Sequence, residues 1–552
     1  MRKTLVIIFV VLAAVLTAKA QEHLSERVYI STDRDVYVAG DEMYLSAFCF
    51  DMFTGRFSNT SRTVYLEVVS PEGPVQTAKL ALDGGRGGGV VSLLNTIPTG
   101  EYRLVAYTAQ CFNEDGYDFL EGARTISIIN PFTATRSSSG VEILSDEDYA
   151  SLESAEIPYA GSVRLASDGP LTLTNASDRP VTLSVSVFHD DGLVSPSTSS
   201  PAAFLAGATR GSSFTDRRTI DYEGEIVRTH LVVTDGDMSG VAGTSAFLSV
   251  PGRGSDVYCA EIEDDGSAVF YTRNIRGDVD MVLEADSSSS SECHLEIDQP
   301  FAGVSDPDIP RLPLSAGLED RILQRSLAMQ IGRAARIDTL YVRPEVPSDI
   351  IFAADSVEYI LDDYTRFPLM EELFIEFIGE VRTQRTRNGR GLVVNLRDTY
   401  RLTGANQVSS LLLLDGVPLP NQNAIFDYDP LLVERIVVYP HTTYFAGRPY
   451  AGVVSFSTYR HDLPSYQFAD NSRIVRFQGV SDPVIACLPV ESPDVPDLRQ
   501  TVLWHPLVEI GPGESISMEY CLPSYDGSFK VVVQGFDDAG NPQYVSAPLS
   551  VR

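Results

Sequence analysis

Ser31-Thr-Asp-Arg-Asp-Val-Tyr-Val-Ala-Gly-Asp-Glu42, running directly into Met43-Tyr-Leu-Ser-Ala-Phe48, decides the fold class of this chain. Val36 to Val38 is a short β-branched and aromatic run, and Gly40-Asp41 is a turn. Met43 to Phe48 then alternates side chains between two faces, the mark of a half-buried strand. The pattern spreads in both directions. Val28-Tyr-Ile-Ser, Thr63-Val-Tyr-Leu-Glu-Val-Val and Glu101-Tyr-Arg-Leu-Val-Ala-Tyr alternate in the same way. Pro71-Glu-Gly and Pro98-Thr-Gly supply turns between them. Strands at this spacing predict an immunoglobulin-like sandwich over residues 21–132.

At 552 residues the chain exceeds what one core supports, so several domains are expected. Lys and Arg total 42 against 75 Asp and Glu, a formal charge of −33. Such a surface excludes nucleic acid as a partner, because phosphates demand a basic face. Lysine is confined to Lys3, Lys19, Lys79 and Lys530.

Residues 1–20 read as a secretion signal: Arg2 and Lys3, an apolar run from Leu5 to Leu16, and Ala18-Lys-Ala20 before the cleavage point. Its removal takes three positive charges and no acids, so −33 − 3 gives −36. No later stretch has the ~20 apolar residues of a spanning helix, so no transmembrane span is expected in the mature chain.

Residues 133–157 carry Ser137-Ser-Ser-Gly140 and acidic turns and read as a linker. Residues 158–312 are again β-rich and long enough for one or two sandwiches. Their runs include Leu171-Thr-Leu-Thr and Val181-Thr-Leu-Ser-Val-Ser-Val-Phe, with a hairpin signal at Asp264-Asp-Gly266. Residues 313–347 hold a helix, with apolar residues at Leu318, Ile322, Leu323, Leu327 and Ile331, then an extended linker. Residues 348–462 change character to α+β. Pro368 opens a helix with Glu371 and Glu372 in its first turn, and strands follow. Residues 463–552 return to β, with Val502-Leu-Trp-His-Pro506, Ser515-Ile-Ser-Met-Glu-Tyr and Asp526-Gly-Ser-Phe-Lys-Val-Val-Val, and predict a C-terminal sandwich. The fold class is mainly β: several sandwiches with one inserted α+β domain.

Six cysteines fall in three local pairs, Cys49 with Cys111, Cys259 with Cys293, and Cys487 with Cys521. Disulfides within each pair and buried free thiols are both open readings for an exported chain. Cofactors and metals are not expected, since no C-x-x-C or His-x-x-x-His spacing exists. The Gly84-Gly-Arg-Gly-Gly-Gly89 run lacks the Gly-Lys-Ser/Thr ending of a phosphate loop and reads as a hairpin connection. There is no His-Glu-x-x-His helix and no Gly-x-Ser-x-Gly turn. His23, His189, His230, His294, His441, His461 and His505 are scattered, with His441 and His461 flanking one pair of strands. No enzyme activity is expected.

Two resemblances add to this reading. The order Ser31 to Glu42, then Pro98-Thr-Gly-Glu-Tyr-Arg-Leu, resembles the macroglobulin-type domains of alpha-2-macroglobulin relatives, although Ala39 stands where their proline precedes the glycine. None of the cysteines sits in the Gly-Cys-Gly-Glu-Gln context of a thioester, so covalent trapping is not implied. Ser409-Ser-Leu-Leu-Leu-Leu-Asp-Gly-Val-Pro418, Glu434-Arg-Ile-Val-Val438 and Tyr450-Ala-Gly-Val-Val-Ser-Phe-Ser-Thr458 resemble the plug domain of TonB-dependent receptors. Fewer than 100 residues follow Tyr459, too few for a receptor barrel. The combination is similar to a group of exported Bacteroidota proteins. It implies a periplasmic or outer-membrane-associated scaffold or binding protein whose plug-like module docks on an outer-membrane or envelope protein. Asp415, Gly416, Pro418, Asn421, Gln422 and Asn423 are the candidate partner contacts. The alternative is a thioester-less macroglobulin-like protease inhibitor or decoy, with a bait segment near Ser195–Ser213.

Overall fold

The computed structural model describes residues 24–133, 140–152, 156–167, 170–194, 199–235, 241–252, 256–273, 275–285, 292–334, 355–386, 389–397, 409–445, 448–485 and 496–549. Residues 1–20, expected to be a secretion signal, and Cys487 lie outside them. The chain is mainly β and forms two compact units. One gathers Met1–Gly224, Phe301–Pro344 and Val480–Arg552, and the other Glu225–Pro300 and Glu345–Gly479.

The first unit begins with the expected sandwich. One sheet holds strands Glu26–Thr32, Glu42–Asp51, Arg56–Phe57 and Arg86–Ser92. The facing sheet runs in the order Val36–Val38, Arg124–Ile129, Gly100–Tyr107, Thr63–Ser70, Gly73–Ala81. Alternation puts Val28, Ile30, Leu45, Ala47, Val64, Leu66, Leu104 and Ile126 into the shared core. The other faces are buried as well. Tyr65, Val69, Val105 and Tyr107 are covered by later chain, including Phe301, Ala302 and Val304. This explains why nearly every residue of Thr63–Ser70 is buried.

The glycine run splits between two roles. Gly84 and Gly85 turn the chain with φ of +55° and +74°, whereas Gly87 to Gly89 lie within strand Arg86–Ser92, paired to Glu42–Asp51. A Cβ on Gly88 would meet Pro506 Cβ at 2.9 Å. The bare backbone there admits a strand from the far end of the chain.

That strand belongs to a second sandwich in the same unit, and here the structure departs from the expected domain boundaries. Val181–His189 pairs on one side with Thr501–Ile510 and on the other with Phe529–Asp537, which pairs with Pro542–Leu549. The opposing sheet is Val163–Ala166, Leu171–Asn175 and Ser515–Met518. Residues 463–552 therefore do not close a sandwich of their own. They complete one begun before residue 190, and Leu183, Val185, Val508, Val531 and Val533 share its core. The 133–157 segment is likewise more than a linker: Val141–Leu144 pairs in parallel with Leu312–Ser315, followed by helix Asp146–Ala150 capped by Ser145. The helix expected after Leu314 is Glu319–Ala334, and it packs Met329 in a cluster with Val36, Val38 and Ile129.

In the second unit, Ile226–Asp235, Ser267–Tyr271 and Glu292–Ile297 form one sheet. Asp256–Glu261, Ser245–Val250, Asp278–Ala285 and Ser472–Gln478 form the other. Asp264-Asp-Gly266 does make the expected turn, with Gly266 N donating to Glu263 O, but its two flanking strands belong to different sheets. Here too a late strand, Ser472–Gln478, completes a sandwich begun earlier.

The α+β module follows in that unit. Its sheet has the order Val357–Ile360, Val433–Phe445, Arg448–Thr458, Leu411–Leu414, Val417–Pro418, with helices Met370–Glu376 and Asn423–Asp427 and the hairpin Val381–Thr386/Gly389–Val394. Leu411–Leu414 runs parallel to Arg448–Thr458 and is buried on both faces. A continuous apolar run is what such a position requires. Leu412 and Leu414 join a core with Leu373, Phe374, Ile436 and Phe456, while Leu411 and Leu413 meet Val257 of the neighbouring sandwich.

Candidate functional site

A dense polar constellation lies in the first unit, where Ser31–Glu42 meets the second sandwich and helix Glu319–Ala334. The Asp33 carboxylate is buried. It accepts from Tyr37 Oη at 2.8 Å, Tyr44 N at 3.1 Å, Arg34 Nη1 at 3.3 Å and Thr501 Oγ1. Burial pushes the Asp33 carboxyl up, and Arg34 and these donors oppose the shift. Arg34 also donates from Nη1 to Thr501 Oγ1 at 2.8 Å and from Nη2 to Asp41 Oδ2 at 2.7 Å. Asp41 in turn accepts from Val38 N at 2.9 Å, closing the turn that Gly40 opens.

Two more ion pairs border the same space. Arg124 donates from Nε and Nη2 to Asp35 Oδ1 at 3.0 and 2.7 Å. Arg325 grips both oxygens of Asp191 at 2.5 and 2.8 Å and donates from Nη1 to Val36 O at 2.7 Å. Burial alone would raise the Asp191 carboxyl, but Arg325 outweighs it and holds the carboxyl below its usual range. Ser186 Oγ donates to Asp33 O at 2.7 Å, and Tyr29 Oη to Gln534 Oε1 at 2.6 Å. The pairs enclose a cavity of about 90 Å³ lined by both sandwiches and the helix. The sequence signal for this centre was the Asp33-Arg34-Asp35 triplet ahead of an alternating strand. Its partners Arg124, Asp191, Arg325 and Thr501 had no local signal.

Most of the candidate contacts in the α+β module are engaged inside it. Asp415 is 2% exposed with φ +47°, and its carboxylate accepts from Thr458 N, Thr458 Oγ1 and Leu463 N at 2.7, 2.7 and 3.0 Å. Gly416 and Pro418 are buried beside it. Gln422 Nε2 donates to Ser410 O at 2.7 Å, and its Oε1 accepts from Leu392 N at 2.9 Å. Asn423 Oδ1 accepts from Arg390 N at 2.8 Å. Only Asn421 of the six is exposed. Turn chemistry suggested a surface, but packing closed over it.

What the module exposes is apolar. Ile360, Tyr364, Leu431 and Tyr459 are each about half exposed. Ile360 lies opposite Arg435, Tyr459 N donates to Leu432 O, and Tyr459 Oη donates to Asp362 Oδ1 at 2.7 Å. Leu369 and Ile375 extend the exposed apolar set onto helix Met370–Glu376 and its cap.

The remaining expectations fall as follows. Cys49, Cys111, Cys293 and Cys521 carry free thiols. Cys49 sits in the first sandwich core and Cys111 in a different apolar cluster, and burial pushes both thiols up. His441 and His461 take separate partners, Asp355 at 2.9 Å and Asp415 at 3.9 Å. Trp504 is fully buried beside Tyr44 and serves the core. Of the bait candidate, residues 195–198 lie outside the described set. Helix Pro201–Gly207 buries Phe204 against Tyr29 and Phe50, and Gly211 N donates to Ser25 Oγ. Among the described residues no helix is long and apolar enough to cross a membrane, and no group of His, Cys, Asp and Glu is disposed to hold a metal.

No family model matches the chain, and no curated protein matches it. Among solved structures, native Escherichia coli alpha-2-macroglobulin aligns over 96% of this chain and 40% of its own, at 9% identity and a TM-score of 0.23. Salmonella alpha-2-macroglobulin reacted with methylamine aligns over 96% and 39%, at 10% identity and a TM-score of 0.21. Dimeric latent PorU from Porphyromonas gingivalis aligns over 50% and 33%, at 9% identity and a TM-score of 0.15. The chain spans about 40% of the length of the two macroglobulins. At TM-scores this low the superpositions define no shared fold.

Proposed function

We propose that this protein is an exported, non-catalytic scaffold of the cell envelope, and that its plug-like α+β module binds another envelope protein. The observation that carries the reading is the set of half-exposed apolar side chains Ile360, Tyr364, Leu431 and Tyr459 on this module. Clustered exposed apolar side chains mark interaction sites more often than scattered ones do. The patch lies beside strand Val357–Ile360, an edge of the module's sheet. In the other unit, Asp33, Asp35 and Asp191 are each bound to an arginine that ties one part of the fold to the next, a use suited to a scaffold.

The test is mild crosslinking of tagged protein in its native envelope, followed by mass spectrometry. An outer-membrane or periplasmic protein crosslinked through residues 357–463 is the expected result. Recovery of the protein alone from a soluble fraction overturns the docking reading. In the bait candidate of the inhibitor reading, Phe204 and Gly211 are held against the first sandwich.

A further inference from the structure

We propose that strand Val381–Thr386 of the α+β module is an open edge that takes up an extended acidic segment of another polypeptide. The strand forms a two-stranded ribbon with Gly389–Val394, in which Arg382, Gln384 and Thr386 stand opposite Val393, Gly391 and Gly389. Backbone groups of successive residues in a strand point alternately to its two sides. On the far side of Gly389–Val394, the amides of Arg390, Leu392 and Val394 donate to Asn423 Oδ1, Gln422 Oε1 and Ser410 Oγ at 2.8, 2.9 and 3.0 Å. The intervening Gly389, Gly391 and Val393 therefore face the ribbon's own ladder, with Thr386, Gln384 and Arg382 across from them. Asn395 N, which donates to Glu380 O at 2.7 Å, keeps the same alternation. The amides and carbonyls of Val381, Thr383 and Arg385 then point outward. Val381 N reaches Ile378 O at 3.5 Å, and Thr383 and Arg385 have no backbone partner among the described residues.

This edge is basic in a chain that is otherwise strongly acidic. Residues 382–401 hold six of the 42 Lys and Arg against a single acid, Asp398. Arg382, Gln384 and Arg385 are exposed. Arg390 is held by Asp427 at 2.7 Å and Arg397 by Asp355 at 3.3 Å, whereas Arg382 and Arg385 make no ion pair among the described residues. An unpaired edge offers main-chain hydrogen bonds to an added strand, and the side chains along it select which strand is added. Guanidinium groups select carboxylates, which they grip with two parallel hydrogen bonds. A second copy presenting the same edge would bring arginine against arginine, so these charges also oppose self-pairing. None of these residues belongs to the apolar set assigned above to the envelope partner, so either surface can fail alone.

The experiment follows the fluorescence anisotropy of a short labelled peptide, alternating glutamate with valine, as the full chain is added. Saturable binding that weakens as salt rises is expected, and none with lysine in place of glutamate. Methylating the peptide's backbone amides spares its charge but removes its donors, and should abolish binding. Thr383→Pro, which deletes an outward amide where an edge strand tolerates proline, should do the same. The methylated peptide decides the question even where that variant fails to fold. Arg382→Gln combined with Arg385→Gln should weaken binding by about tenfold. Absence of peptide binding to the parent chain overturns the proposal. So does equal binding of the methylated peptide, which reduces the edge to a charged patch. Binding to phosphatidylglycerol vesicles without peptide binding, lost in the arginine variant, assigns these arginines to a membrane surface and equally overturns it.

Discussion

Arg34 Nη1 donates to Thr501 Oγ1 at 2.8 Å, although 467 positions of chain separate the two residues. The same hydroxyl donates onward to Asp33. The first strands of the fold are therefore fastened by one near its end, and the domains of this unit are not beads on a string. Ending the chain after residue 500 should unravel more than the missing part. Val181–His189 would lose its neighbours on both sides, so new protease cleavage is expected between residues 163 and 189. Continued protection of that stretch would contradict the nested arrangement.

Arg34→Met should be among the most destabilising single changes in this unit. It leaves the Asp33 and Asp41 carboxylates facing each other's surroundings without their shared cation. Breaking a buried pair from one side costs about 3–5 kcal/mol. Urea unfolding measures it, and a loss under 1 kcal/mol would mean the pair behaves like an exposed one.

Asp415→Ala tests the corrected role of the module's turn. The substitution removes three hydrogen bonds to the carboxylate and places a residue without a polar side chain at φ +47°. About 2–3 kcal/mol of destabilisation is expected. Asp415→Asn, which keeps the acceptor oxygen and tolerates this backbone region, should recover part of it. A partner-contact role would instead leave stability intact and change only binding.

Glu101 makes stability depend on pH. Burial pushes its carboxyl up to about 7, with hydrogen bonds from Ser127 Oγ and the nearby Arg103 opposing the shift. The folded state then holds a proton that the unfolded chain releases near its ordinary value of 4.5. Stability contributed by the protonated group is fully present below that value and falls as pH rises through about 7. Glu101→Gln removes this dependence. Its advantage over the parent should grow from pH 5 to pH 8, reaching at most about 3 kcal/mol. Parallel stability curves for the two proteins would rule the effect out.

Strand periodicity, the Glu319–Ala334 helix and the helix-then-strand order of the module could all be read from local pattern, because burial of one face writes itself into each run. Partner choice could not. Val181–His189 alternates like any sandwich strand, and nothing in its residues says that its neighbours lie more than 300 positions away. The site residues failed for a related reason. Asp415, Gly416 and Pro418 are turn formers and suggested a surface, yet the turn is roofed by Thr458 and Leu463. Arg124 and Arg325 look like solvated charges until the fold brings Asp35 and Asp191 to them.

The most direct test of the docking account places a photo-crosslinking residue at Tyr459, within the exposed patch, and at Tyr271 as an equally exposed control. Irradiation in the native envelope should yield a single partner adduct from position 459 and none from 271. No adduct from 459, or the same proteins in equal yield from both positions, would contradict it.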